Sequence, residues 1–441
     1  MLEKVKELSE LKNYIELKKY LATLEPADIA IFISELSKEE IVIVFRLLHK
    51  SVAAEVFVEL DTDIQEDLIN IFTEKELKEV LDELFLDDTA DLIEEMPANV
   101  VRRIIKNINK KDRKIVNELL KYPEDSAGSI MTPEFIDFKE NMTIEDAFEV
   151  IRKDGEDKVN IYTGYVLTKS RKILGTVDVK DMILADPEQN ITEIIDDNII
   201  TVNTLEDKEE AAKKFDKYDL IVLPVVDNED RLVGIITVDD AIDVLKEEAE
   251  EDFEKMAAVT PSEDSYFKTK VITHAKNRMF WLLLLMISST ITGAIITKYE
   301  AAFAALPILV SFIPMIMGTG GNCGSQASTL IIRGLAMDEI RAKDIFKVMW
   351  KELRVSVLVG IVLAIVNGIR VLIQYQDMNL AIIVGLTLIL TAVMAKLIGC
   401  VLPIVAKKVK LDPAIMAAPI ITTIVDSCSV FAFFNIAMLF I

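Results

Sequence analysis

Pro419-Ile-Ile-Thr-Thr-Ile-Val-Asp426-Ser-Cys-Ser-Val-Phe-Ala-Phe-Phe434 is an apolar segment long enough to cross a bilayer, and it carries a carboxylate in its middle. An ionised carboxylate at that depth costs at least ~2.5–3.5 kcal/mol even on the lenient insertion scale, so Asp426 must face a wet interior or meet a cation. The segment therefore reads as the wall of a pore.

Four more apolar stretches precede it, near 279–297, 301–318, 352–373 and 379–402, and the last extends over 414–440. Each is close to the ~20 residues of a spanning helix. Phe280-Trp-Leu-Leu-Leu-Leu-Met286 and Ala381-Ile-Ile-Val-Gly-Leu-Thr-Leu-Ile-Leu390 are too uniformly apolar for surface helices. The chain opens with Met1-Leu-Glu-Lys-Val-Lys-Glu, a charged helical pattern, so no cleavable signal peptide is expected. Basic residues collect before the first span (Lys276, Arg278), between the second and third (Arg333, Arg341, Lys343, Lys347) and between the fourth and fifth (Lys407, Lys408, Lys410). By the positive-inside rule those loops are cytoplasmic, which places the N-terminal part in the cytoplasm and Ile441 outside an inner or plasma membrane. Arg370 runs against the rule and is expected to snorkel.

Charge divides the chain. Residues 271–441 carry 8 acidic and 14 basic residues, a net of +6, whereas the preceding 270 carry 65 acidic and 35 basic, a net of −30. So anionic a part is unsuited to nucleic acid and suited to divalent cations. Cys323, Cys400 and Cys428 show no CxxC spacing, which indicates neither a disulfide framework nor a zinc site. His49 and His274 cannot form a metal cluster alone and are expected to be structural or exposed.

Residues 1–125 read as helices throughout. Pro26–Leu36, Asp61–Phe72 and Asp87–Pro97 each begin with capping-type residues and place apolar side chains at helical spacing. Their rough recurrence suggests a short superhelix of stacked helix pairs. Near Ser126 the pattern changes to a β-α-β-β-α unit over 126–190 that repeats over 191–246. This duplication, with Met131-Thr-Pro133 and Gly234-Ile-Ile-Thr-Val-Asp-Asp240 at its ends, resembles a tandem CBS pair. Such pairs are sensors of nucleotides or ions, and rarely enzymes. The resemblance makes ATP a candidate ligand, with Asp181 as its residue. The nucleotide signal is weak, because Thr163 and Gly164 occupy the strand where relatives often carry an aromatic ring, and Leu220 follows Asp219 without one. Residues 247–276 then form a mostly helical link, interrupted at Thr260-Pro261. Glu248 and Asp252 stand at i,i+4 on it, where like charges repel and bound cations would remove the penalty.

Between the second and third expected spans comes Pro314-Met-Ile-Met-Gly-Thr-Gly-Gly-Asn-Cys-Gly-Ser-Gln-Ala-Ser-Thr-Leu-Ile-Ile-Arg-Gly334. Glycines at 318, 320, 321 and 324 are expected to break the helix, and irregular backbone at membrane depth is tolerated only where protein or a water-filled cavity covers it. The freed carbonyls, with Asn322, Gln326, Ser325, Ser328 and Thr329, would then make an uncharged, oxygen-rich lining. The alternative is a glycine-rich helix-packing motif.

Together with Asp412-Pro-Ala-Ile-Met-Ala-Ala-Pro419 and Thr422-Thr-Ile-Val-Asp426, this run looks like the MgtE family of magnesium channels, over essentially the whole chain. The resemblance implies a multidomain fold: an acidic helical superhelix over 1–125, an α/β CBS pair over 126–190 and 191–246, a connecting plug helix over 247–276 and a five-span helical pore domain over 277–441. It implies a homodimer with the pore on its axis, Asp426 as the carboxylate that holds Mg2+, and Asp412 at the cytoplasmic mouth. Mg2+ wants octahedral oxygen at ~2.0–2.1 Å and gives up water reluctantly, so few carboxylates should hold it largely hydrated, with neutral oxygens of Asn322 and Thr422 nearby. Glu55, Asp87 and Asp91, then Asp207, Glu209, Asp219, Asp240 and Asp243, and Glu248, Glu251 and Asp252 match acidic positions that bridge domains through Mg2+. Two like charges ~8 Å apart at an effective dielectric of ~20 repel by about 2 kcal/mol, so high cytosolic Mg2+ would close the assembly.

Three competing readings remain open to comparison. A secondary cation transporter or exchanger would use the same acidic pore, although an odd number of spans argues against an inverted repeat within one subunit. An intramembrane aspartyl protease would need Asp412 and Asp426 as a pair, but a separation of fourteen positions puts them ~21 Å apart on one helix. A CBS-bearing docking protein leaves a buried Asp426 unexplained.

Overall fold

The structure, a computed structural model, describes residues 4–5, 7–8, 11–262, 266–267, 269–299, 306–416 and 418–440. The charged start Met1–Glu3, residues 301–305 of the expected second span, residues 263–265 and 268 of the link, and Ile441 lie outside them. The chain divides into two units, Met1–Lys246 and Glu247–Ile441.

The first unit begins with short helices: α1 (Tyr14–Leu21), α2 (Pro26–Ile33), α3 (Lys38–Phe45), α4 (Lys50–Val58), α5 (Thr62–Ile71), α6 (Glu74–Leu81), α7 (Leu86–Glu95), α8 (Ala98–Asn107) and α9 (Lys110–Leu119). Their brevity is written in their caps. Ser37 before α3 and Thr73 before α6 form capping boxes with Glu40 and Glu76, and Thr73 Oγ1 accepts from the Glu76 amide at 3.2 Å. Each such cap satisfies amides that the helix leaves orphaned and is worth ~1 kcal/mol. Every second helix packs on its neighbour but one (α2 on α4, α4 on α6, α6 on α8), as the stacked-pair expectation requires. Phe45 sits between Phe57 and Phe72, with ring centroids 6.3 and 5.3 Å away.

Two small sheets follow. Strands β1 (Phe135–Lys139), β2 (Asn160–Leu167) and β3 (Ile173–Asp178) pair in that order, β1 parallel to β2 and β2 antiparallel to β3. Helix α10 (Ile144–Asp154) makes the crossover and α11 (Val179–Leu184) follows β3. The second copy repeats this with β4 (Val202–Asn203), α12 (Lys208–Tyr218), β5 (Val222–Val226), β6 (Leu232–Thr237) and α13 (Val238–Met256). β4 is shorter than the Asp197–Val202 pattern suggests, because only Val202 and Asn203 reach partners, Val225 and Val226. The copies are laced together: the Thr132 amide donates to the Ile235 carbonyl at 2.8 Å, and the Ala127 amide to that of Glu206 at 2.7 Å. One apolar core runs from the helical domain into the second copy, through Ala127, Met131, Phe215 and Ile236.

Among the described residues of the second unit, five helices are long and apolar enough to cross a membrane. They are α14 (Val271–Lys298), α15 (Ile313–Ala336), α16 (Ile345–Tyr375), α17 (Met378–Lys408) and α18 (Ala418–Phe440). Single 3-10 turns at Pro307–Phe312, Ala342–Asp344 and Pro413–Met416 precede α15, α16 and α18. α17 is the central helix, packed on α15, α16 and α18, while α14 packs chiefly on α18 and exposes Phe280, Leu282, Met286 and Ile287. Thr292 of α14 meets Ser427 of α18 through their hydroxyls at 2.8 Å.

The glycine-rich run does not break its helix. Ile313–Ala336 is continuous α-helix through glycines 318, 320, 321 and 324, and the oxygen-rich loop expected there does not form. The helix-packing alternative accounts for the glycines. A Cβ at Gly320 would lie 2.8 Å from Val425 Cγ1, one at Gly324 2.6 Å from Ile421 Cγ2, and one at Gly399 of α17 only 2.4 Å from the Gly324 carbonyl oxygen. α15 thus lies backbone against backbone on α17, and its carbonyls are spent within the helix. Gly399→Ala is expected to push α17 off a backbone atom that cannot rotate away, at ~1–3 kcal/mol for overpacking. Gly293→Ala, whose Cβ meets nothing within 4 Å, should be near neutral. Thermal unfolding of the two purified variants in detergent compares them.

Candidate ion pathway and acidic sites

Along α15, Gly318, Asn322, Gln326 and Thr329 recur at helical spacing and all are exposed on the single chain. The parallel row on α18 is Thr422 and Asp426, one turn apart and partly exposed. The rows adjoin, since a Cβ at Gly321 would stand 3.0 Å from Thr422 Cγ2. Thr422 Oγ1 donates to the Pro419 carbonyl at 2.9 Å, which leaves its lone pairs free to accept. Asp426 has no hydrogen-bonding or ionic partner among the described residues. A carboxylate in a spanning helix with no protein counter-charge is a place for a mobile cation.

Asp412 is placed differently. Its Oδ1 accepts from the Ala414 amide at 2.7 Å, opening the turn before α18, and its Oδ2 accepts from the Lys255 ammonium at 2.7 Å. Lys255, near the end of α13, also meets Glu251 at 2.5 Å, and the neighbouring Met256 packs against Ile332 and Ala414. Burial opposes the charge on Lys255, yet hydrogen bonds to Asp412 and Glu251 raise it above the ordinary lysine range.

In the first unit, carboxylates converge where α7 meets the start of α13. Asp87 is partly buried, its Oδ1 atom enclosed and unpartnered, and desolvation, followed by the charges of Asp88 and Asp240, pushes it well above the carboxylate range. Burial likewise raises Asp88 to about 6, Asp91 to about 7 and Asp240 to about 6, with neighbouring acids adding to each. Asp240 accepts from the Thr237 hydroxyl at the N-terminus of α13. Glu134, raised to about 6 mainly by burial, accepts from the Leu86 amide at 2.8 Å and so caps α7 from the neighbouring domain. The orphaned Asp87 oxygen and the acids around it suit a hard divalent cation. Among the described residues no three His, Cys, Asp or Glu side chains are arranged as a closed ligand set, so these groups face one another without yet forming a coordination shell.

Of the other regulatory candidates, Asp207 caps α12 by accepting from the Glu209 amide at 2.9 Å, and Glu209 pairs with Lys213 at 2.8 Å. Asp219 ends α12 in the left-handed region at φ 52°. Asp243 pairs with Lys246 at 2.8 Å, Glu55 and Asp243 are exposed, and Glu248 and Asp252 are partly exposed on α13. Asp243 adds its charge to Asp240. Asp181 is exposed in the first turn of α11. Beside it in the sheet, a Cβ at Gly164 would strike the Phe138 ring, which explains why that strand carries no side chain there.

Sequence reading passed over Asp88 and Glu134, although Asp88 adjoins Asp87 and Glu134 directly follows Met131-Thr-Pro133. It also missed Lys396 of α17, which pairs with Glu352 of α16 at 3.7 Å, both side chains about nine-tenths buried and Glu352 Oε2 without a hydrogen bond. A single charge disappears in a hydropathy average, and its partner is distant in sequence.

A long-span bundle with an unpaired intramembrane carboxylate, joined to an acidic helical domain and a paired β-α-β-β-α module, defines a multi-pass membrane protein of the cation-transport class. The family model for divalent cation transporters matches residues 313–436, that for the MgtE intracellular N domain matches 24–125, and CBS models match 127–188 and 191–247. The chain is 34% identical to a magnesium transporter MgtE of Thermus thermophilus, covering 96% of this chain and 94% of that one, and 32% identical to its namesake in Bacillus subtilis, covering 95% and 92%. The crystal structure of the cytosolic domain of the Mg2+ channel MgtE in complex with ATP superposes with a TM-score of 0.53 at 35% identity, covering 55% of this chain and all of that one. The chain belongs to the MgtE family.

Two outcomes follow from the charges. The unfolded chain releases the cluster protons near pH 4 and the folded chain holds them to about pH 6–7, so the folded state binds more protons in between. Stability in EDTA is therefore expected to fall as pH rises from 5 to 8, and millimolar Mg2+ should flatten that fall, as read from melting midpoints. Glu352→Gln alone strands the Lys396 charge and should cost ~3–5 kcal/mol, most of it recovered in Glu352→Gln/Lys396→Met. Denaturation of single and double variants measures the recovery.

Proposed function

We propose that the protein is a Mg2+ channel, and not an enzyme, that cytosolic Mg2+ closes. The observation that carries this reading is the unpartnered Asp426 carboxylate on the polar trough with Asn322 and Thr422. The trough is open on one chain. A second copy facing it across a two-fold axis would supply a second Asp426, giving two negative charges and neutral amide and hydroxyl oxygens around one ion. Mg2+ keeps most of its waters in such a setting, held by few enough ligands to leave. Asp412 stands at the cytoplasmic mouth, with the N-terminus cytoplasmic and the C-terminus outside.

Closure rests on the crowded acids of the first unit. Asp87, Asp91 and Asp240, with Asp88 and Glu134, are costly to ionise together, and a divalent cation offsets that cost by replacing their protons. Glu55, Asp207, Glu209, Asp219, Asp243, Glu248, Glu251 and Asp252 provide further acidic surface for Mg2+ between domains or subunits. Relatives described as magnesium transporters over nearly the full length support the choice of ion. ATP is proposed as a ligand of the CBS pair near Asp181, on the strength of the ATP complex of the similar cytosolic domain.

Asp426→Ala and Asp426→Asn are each expected to abolish Mg2+ entry into liposomes containing an Mg2+ dye, or its selectivity, with the protein still folded by size exclusion. Wild-type uptake by either variant would show the pore assignment to be wrong. Discrete single-channel openings of the wild type should accompany the flux, whereas uptake that saturates and depends on a Na+ or H+ gradient would identify a coupled carrier.

A further inference from the structure

The two oxygens of Asp412 have different occupants. Oδ1 is committed to the Ala414 amide at 2.7 Å and holds the turn over Pro413–Met416 in place. Oδ2 is the oxygen left for a cation, and the Lys255 ammonium takes it at 2.7 Å. The contact is seated, since Lys255 and Asp412 expose 23% and 29% of their side chains and Met256 packs beside them on Ile332 and Ala414. The segment beyond α13 is also tied back: the Thr260 amide donates to the Asn277 carbonyl at 3.0 Å, and the Ser262 amide to Glu254 at 3.1 Å.

We infer that Lys255 is a tethered cation that competes with the permeant ion for Asp412, so that this carboxylate is filled either by the chain's own ammonium or by a divalent cation. The inference rests on the transport reading above. An ammonium and a metal cannot share one oxygen at bonding distance without placing like charges in contact, so occupancy is exclusive. Glu251, one turn before Lys255 on the same helix and 2.5 Å from it, is the second acceptor. When α13 withdraws, Lys255 falls back on Glu251 and is not left without a counter-charge. The exchange is therefore between two carboxylate partners for the lysine and between two cations for Asp412. Lys255 is thus a positioning residue of the closed state, acting through Asp412.

The test uses full-length protein in liposomes, recording Mg2+ flux against internal Mg2+ concentration. Lys255→Met is expected to raise the concentration for half-closure roughly threefold to fivefold, as suits loss of a partly exposed ion pair. Lys255→Arg should stay near the wild-type value, because it keeps the charge. In an Asp412→Asn background the effect of Lys255→Met should vanish, since its partner is gone. Half-closure at the wild-type concentration in Lys255→Met, or an undiminished shift in the Asp412→Asn background, would overturn the inference and leave the transport reading standing. Absence of Mg2+ flux from the wild type under every condition would overturn the transport reading, and this inference with it.

Discussion

A carboxylate taken out of water must find a proton, a donor or a cation, and that requirement meets this chain at three places. In the first unit the α7–α13 acids are crowded, and desolvation with one another's charge holds their protons on to unusually high pH. At the base of α18 Asp412 has found an amide and an ammonium. Within α18 Asp426 has found nothing among the described residues. The series runs from proton to tethered cation to an unmet need.

The helices supply this series with geometry. α15 is pressed onto α17 and α18 at glycines 320, 324 and 399, which brings its polar row alongside Thr422 and Asp426. Bulkier residues there would separate α15 from α18. The Glu352–Lys396 pair ties α16 to α17 as well. A buried pair is weak evidence of stabilisation, but it fixes the register of two otherwise apolar surfaces.

Much of this was legible in the residues. Apolar runs marked the first, third, fourth and fifth spans because twenty apolar residues have few other stable settings, whereas the second, expected over 301–318, is Pro307–Ala336 and runs through the glycine-rich segment. The doubled alternation of strands and helices survived even where β4 shrank to Val202–Asn203, since Val225 and Val226 still needed a partner there. Asp426 announced itself by being charged among apolar neighbours. The glycines of α15 misled, because the same residue that breaks an exposed helix also lets two buried backbones touch, and only the neighbour at Gly399 decides between the two. The composition of the acidic cluster was only half legible: Asp87, Asp91 and Asp240 came from resemblance, whereas Asp88 and Glu134 join through tertiary contacts that no local pattern encodes.

The hydroxyl contact between Thr292 and Ser427 ties α14 to the residue next to Asp426. α14 packs chiefly on α18, and otherwise its apolar side chains face outward. A mismatch between its apolar length and the hydrocarbon around it costs fractions of a kcal/mol per Å. A bilayer that tilted α14 would pull on α18 through this contact, one residue from Asp426. Lipid chain length therefore enters the description of this protein as a mechanical variable, on the same footing as the ions it handles.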